Sequence, residues 1–409
     1  MVTRSPTTPL DPAADAATLL RRIGFATLVV AVPVAAVVAR RATVVLVPLG
    51  AALLVIAALL DGASPGLGTT LRRIVPSRGG LLALALIGWA ALSILWSPFP
   101  ATAGDKIVNV LGAVLVTLAG VAALPERMRA SNLYLTGIGA GAAAVFAIAV
   151  ALAISAADEA EHADASLDRG LVSLAVTIWP AIAWLVSRDR RMMALTLAAV
   201  AAAAVLLGPS PTPAFALALG GLAYAATTIR PAAVAKALAA GIAGLILAAP
   251  LLPFVLRPFA KAIFGLTHPT TAAVRAWADV VRSEPMRLVT GHGLDTALRG
   301  RSVGLLPTDA PMSLLFEVWY ELGLVGAAAL AALFYLTVRA AAGVQGLLLP
   351  ALMAAFAAVF SLGCLGIGMA QSWWLSTLGI VAIAFVAVER GQFRTTRPKA
   401  RLWQAANDR

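Results

Sequence analysis

Seven basic side chains crowd one stretch of an otherwise apolar chain: Arg257, Lys261, Arg275, Arg282, Arg287, Arg299 and Arg301 all fall within residues 257–312. Only Asp279, Glu284, Asp295 and Asp309 oppose them there. A guanidinium presents a planar fork of donors that binds phosphate oxygens in pairs and stays charged at any physiological pH. A cationic concavity of this kind suits an anionic head group, and a lipid-borne diphosphate is the natural candidate. Read one at a time, each arginine is better taken as a solvated side chain along an interfacial helix.

The elements that would position these groups are partly legible. Residues 271–288 carry Val274, Trp277, Val281 and Leu288 at helical spacing, which predicts an amphipathic helix with Trp277 as a packing anchor. Gly291-His292-Gly293 then predicts a tight turn with exposed backbone. Other chemistries lack their residues. There is no Walker loop, dinucleotide fingerprint, HExxH or cysteine pair, and His162, His268 and His292 are far apart in sequence. Chemistry here would run on arginine electrostatics and one proton acceptor, with no redox cofactor and no histidine- or cysteine-based metal site; the sequence leaves a carboxylate-held magnesium open. Cys364, alone in an apolar run, forms no intramolecular disulfide and reads as a small core residue.

Of 409 residues, 61% are hydrophobic and 12% charged, with a mean hydropathy of +0.91. Soluble domains carry about 25% charged residues, so the lipid bilayer is this chain's solvent. Its apolar runs are continuous and rich in Ala, Leu and Val, which points to helices rather than barrel strands. The expected fold is all-α: about twelve spans near 23–40, 42–60, 80–96, 107–124, 133–154, 170–187, 192–208, 212–229, 237–256, 313–337, 346–369 and 371–388. Organisation follows: a cytoplasmic tail 1–22, nine spans over 23–256, one large loop 257–312, three spans over 313–388 and a basic tail 389–409. Alternating segments from Arg4 and Arg21 through Arg339 to the tail hold 20 of the 31 basic residues, which puts both termini in the cytoplasm and the large loop outside. The net charge of +12 is dispersed through short turns, as topology signals are, so no nucleic-acid partner is expected. Residues 155–169, with Asp158, Glu159, Glu161, Asp164 and Asp168, read as an outer acidic turn, and His162 as exposed within it.

Trp277 and Gly291-His292-Gly293, followed by Glu317-Val-Trp-Tyr-Glu321-Leu-Gly323-Leu-Val-Gly326, resemble the signature region of the O-antigen ligase and O-antigen polymerase superfamily. In that family an aromatic helix leads to a GxG turn, and the next membrane helix opens with E-x-G-x-x-G. Asp168-Arg169-Gly170 with Trp179-Pro180 is similar to the family's N-R-G…W-P stretch, and Ser210-Pro-Thr212 to its S-x-S/T turn. The likeness covers roughly 165–390, while the first third matches in hydropathy alone.

The resemblance implies an integral glycosyltransferase at the outer face of a bacterial inner membrane. Its donor would be an undecaprenyl-diphosphate-linked glycan and its acceptor a glycolipid such as lipid A–core, or a growing glycan. Arg169 matches the family's loop arginine and would grip the diphosphate, joined by Arg275, Arg282 and Arg287. Arg275 departs from the pattern, since the family's arginine precedes the Trp by four positions, where Ala273 stands here. A second departure lies before the tenth span: Ala310-Pro311-Met312-Ser313 replaces the family's H-x-H-N, so the histidine that assists the acceptor hydroxyl is absent. Asp309, His292 and Glu317 are the candidate substitutes. Two other readings stay open, a transporter or flippase for a lipid-linked or anionic substrate, and a non-catalytic relative.

Overall fold

A computed structural model describes residues 12–62, 64, 66–156, 161–343, 346–368 and 371–391 of the chain, without the side chains of 161–163. Arg4, Asp158, Glu159 and the basic residues from Arg394 to Arg409 lie outside the described residues, as do the side chains of Glu161 and His162. The described chain is helical throughout and holds no strand, only an isolated bridge between Met128 and Gly391. Ten of its helices are long and apolar enough to cross a bilayer. Arg191–Leu206 and Leu349–Cys364, both expected as spans, are shorter apolar helices.

Boundaries differ from expectation in several places: the span read from 107 starts at Pro100, and the amphipathic helix read over 271–288 ends at Ser283, with Leu288 in the separate short helix Arg287–Thr290. The first helix begins at Pro12, so Arg21 and Arg22 ride within it rather than preceding it. Arg21 ion-pairs with Asp61 at 2.5 Å, both side chains largely buried, so its charge is not a free topology signal. The acidic segment is not a turn after Glu161: the helix Glu161–Ser187 has already begun, and it carries Asp164, Asp168 and Arg169 in its opening turns. The ninth expected span runs on from 256 to Phe264 through the helix Leu252–Phe264, so the long connection to the next helix starts near Gly265. That connection is itself helical in part: Pro269–Ser283, Arg287–Thr290 and Thr296–Ser302.

Starts follow the expected chemistry. Proline opens Pro100–Ala123, Pro231–Ala248 and Pro269–Ser283, where a missing N–H costs nothing. The Ser313 hydroxyl caps Leu314–Ala341 by accepting from the Phe316 N–H at 3.4 Å. The helix Glu161–Ser187 is the core of the larger packing unit, with Leu171, Ala175, Ile178 and Trp184 fully buried. A second core joins Trp277 of the amphipathic helix to Phe316, Trp319, Ile242 and Ile246. The bundle has two ends. At one, Arg21 meets Asp61, and Arg390 donates to the carbonyls of Val121 and Leu124. The other is organised around Lys106.

Candidate functional site

Lys106 sits in the second turn of Pro100–Ala123, its side chain 17% exposed. Its Nζ lies 3.3 Å from Glu321 Oε2 and 3.6 Å from Asp295 Oδ1, and those carboxylates are 7% and 9% exposed. The three residues come from a helix start, the long connection and the helix Leu314–Ala341. An isolated buried charge is heavily penalised, so each tolerates this environment only through the others. Glu321 Oε1 also accepts from the Ala297 N–H at 3.2 Å, and Asp295 Oδ2 lies 3.4 Å from Arg299 Nε. Glu317, one turn before Glu321, is half-buried near Lys106.

Beside this cluster the helix Leu314–Ala341 is broken. Gly323 adopts φ 64, ψ −160, a region that only glycine occupies readily. A break frees backbone carbonyls, and in an apolar segment each freed carbonyl must find a donor. Here each does. Tyr320 O accepts from the His292 N–H at 2.8 Å, Glu321 O from the Gly293 N–H at 3.0 Å, and Leu322 O from the Trp89 indole at 2.9 Å. The approach is close enough that a Cβ on Gly291 would lie 2.2 Å from Glu321 O, and one on Gly293 2.6 Å from Ser97 Cα. The expected Gly291-His292-Gly293 turn is therefore a backbone splice between the long connection and the broken helix. Ser93 and Ser97 complete it: the Ser93 hydroxyl accepts from the Leu294 N–H at 3.1 Å, and the Ser97 hydroxyl donates to Leu294 O at 2.8 Å. Trp89→Phe should lower unfolding free energy by about 1 kcal/mol, the net worth of one buried hydrogen bond, measured by denaturant titration in detergent.

His292 lies flat on Tyr320, ring centroids 4.0 Å apart, and Tyr320 stacks in turn on Phe316. Its Nε2 is 3.1 Å from Glu284 Oε2 and its Nδ1 is 3.1 Å from Tyr320 O. Both ring nitrogens therefore lie within hydrogen-bond distance of an oxygen acceptor. A void of about 20 Å³ bounded by Trp277, Glu284, His292 and Tyr320 has room for a single water.

The arginines do not gather on one point. Arg275 is exposed and donates to Leu266 O at 3.4 Å, Arg282 covers the Phe254 ring at 4.9 Å, and Arg287 lies 4.0 Å from Glu284. Only Arg287 adjoins His292, through their shared Glu284. Asp309 is exposed in the turn before the helix. Arg169 is elsewhere at the same end of the bundle, half-buried with its guanidinium 5.5 Å above the Trp373 ring. Trp373 is held by its indole N–H donating to Gln371 Oε1 at 2.5 Å. The neighbouring Asp168 hydrogen-bonds Ser210, while its buried Oδ1 has no partner among the described residues. The Met312 carbonyl lies against Gly366, in the turn that leads to Gln371 and Trp373.

Sequence reasoning missed Lys106, Asp295 and Glu284 as members of a site. Lys106 stood at the edge of an apolar run on the side expected to be poor in basic residues, and that was its one signal. No group of three or more His, Cys, Asp or Glu suited to a metal ion occurs among the described residues. No protein-family model matches this chain, and no curated protein does.

Proposed function

We propose that the chain is a membrane glycosyltransferase of the O-antigen ligase/polymerase kind. It moves a glycan from an undecaprenyl-diphosphate carrier to a glycolipid or growing glycan at the outer face of a bacterial inner membrane. In this reading the Lys106 end faces outward, both termini are cytoplasmic, the two shorter helices complete twelve spans, and the long connection is the outer loop. The observation that carries it is the meeting of Asp168-Arg169, Ser210 and Trp373 at one end of the bundle. Those segments are distant in sequence, and two of them carry the resemblance.

The chemistry balances without a cofactor. An acceptor hydroxyl oxygen attacks the anomeric carbon, the bond from that carbon to the diphosphate oxygen breaks, and the electron pair leaves on the diphosphate. Arg169 stabilises the charge that develops there. The hydroxyl proton needs an acceptor. Both His292 nitrogens already lie against oxygen acceptors, which leaves Glu317 and Asp309 as the candidate carboxylates, and Glu317, half-buried beside the cluster, is the better placed. His292 and Arg287, tied through Glu284, shape the wall of the loop instead.

The test is transfer in vitro, with purified protein and a polyprenyl-diphosphate oligosaccharide. Arg169→Ala should lower kcat/KM by the equivalent of about 1.5–3 kcal/mol, a charge-assisted contact's worth. Turnover unchanged in Arg169→Ala would end the arginine-clamp reading.

A second reading has its own support. A spanning helix unwound at Gly323 beside buried ionisable groups is also how ion-coupled transporters build their sites. Movement of labelled substrate across sealed vesicles, with no new glycosidic bond, would select it.

A further inference from the structure

A furrow of about 760 Å³ runs between the helices Glu161–Ser187, Arg191–Leu206 and Thr212–Ile229. It extends from Arg191 to Leu206, roughly 22 Å along the helix axis and so longer than one leaflet's ~15 Å of hydrocarbon. Its wall is apolar over that length, floored by Ile182, Ala198 and Gly221. Its polar side chains are unevenly placed. Arg191, Tyr224 and Thr228 stand together at one end, because Arg191 begins one helix as Thr228 ends its antiparallel neighbour. Midway, the indole of Trp179 lines the furrow, and its buried Nε1 has no hydrogen-bond partner among the described residues.

A long apolar trough with one cationic, hydroxyl-bearing end matches an amphiphile that has one anionic head and a chain. Arg191 Nε is 3.3 Å from Asp189, but both side chains are mostly exposed, so the pair is weak and a phosphate can compete for the guanidinium. This end is not the end proposed for transfer. Arg169 and Arg188 are separated by 19 residues of one helix and its closing turn, roughly 28 Å. We infer that the furrow is a binding site for an anionic phospholipid of the bilayer, its acyl chain along Ala198 and Gly221 and its phosphate at Arg191. The site is independent of the reading above, and would hold for transferase and transporter alike.

The experiment uses detergent-purified full-length protein titrated with dioleoylphosphatidylglycerol or dioleoylphosphatidylcholine, followed by native mass spectrometry. Wild type should prefer the anionic lipid by about fivefold, the share one cationic side chain contributes near an anionic lipid head. Arg191→Gln should abolish that preference while still binding both lipids. Gly221→Leu should weaken both, since a side chain there projects into open space and meets no neighbour within 4 Å. It replaces a helical glycine, so its lipid-free melting temperature should not fall. The inference is overturned if wild type binds the two lipids equally, or if Gly221→Leu binds them as wild type does. It is overturned equally if the furrow is covered by a second copy of the chain, seen as a dimer that Gly221→Leu dissociates.

Discussion

Replacing Lys106 by Met should cost about 3–5 kcal/mol of stability, because it strands Glu321 and Asp295 as two buried carboxylates with no ammonium between them. The double variant Lys106→Met/Glu321→Gln should recover at least half of that loss. It removes the stranded glutamate while leaving Asp295 its contact with Arg299. Such recovery is non-additivity, the signature of residues that act as one unit. Denaturant titration of the two variants beside wild type decides the matter. A single-variant cost below about 1 kcal/mol would mean that the ammonium is solvated and that the cluster does not clasp its three segments together.

Gly323→Ala should be about as damaging, at 3 kcal/mol or more. Two penalties add. Alanine resists φ 64, ψ −160, and its Cβ would fall 2.5 Å from Val289 O and 2.6 Å from Gly291 N. Backbone cannot swing aside as a flexible side chain can, so the splice with the long connection must open. Gly88→Ala is the control. It also lies inside an apolar helix, yet its Cβ would meet nothing within 4 Å, and it should be neutral or stabilising by about 0.5–1 kcal/mol. Equal melting temperatures for the two variants would show that the helix is not broken at Gly323.

Much of the helical layout was readable because lipid leaves the backbone few choices. The span read as 212–229 is Thr212–Ile229 in the structure, and Val274, Trp277 and Val281 do share an amphipathic helix, Pro269–Ser283, which stops short of Leu288. Trp277 is the packing anchor its pattern implied, edge-on to Phe316. Apolar runs are a weaker guide to ends. The first helix starts at Pro12 because Ala-rich chain continues a helix well before hydropathy rises, and Arg21 is tolerated there through Asp61. Within the site, arginine number suggested convergence, but Arg275, Arg282 and Arg287 each found a local partner instead. The cluster that did form joins Lys106 to Glu321 across 215 residues, a pairing that no local spacing encodes. Nor did the break at Gly323 announce itself, since a glycine within an apolar run often stays helical, and the groups that meet the freed carbonyls come from Trp89 and the 291–293 turn, far away in sequence.

Arg390 closes the last described helix by donating to the carbonyls of Val121 and Leu124, while Gly391 bridges to Met128. The end of the helix Ser372–Glu389 is therefore riveted to the bundle. A fluorescent or enzymatic reporter fused at the carboxyl terminus would hang from that rivet without tugging on the Lys106 end some tens of ångströms away. Sidedness can thus be measured from the tail with the clasp, the splice and the arginines left untouched.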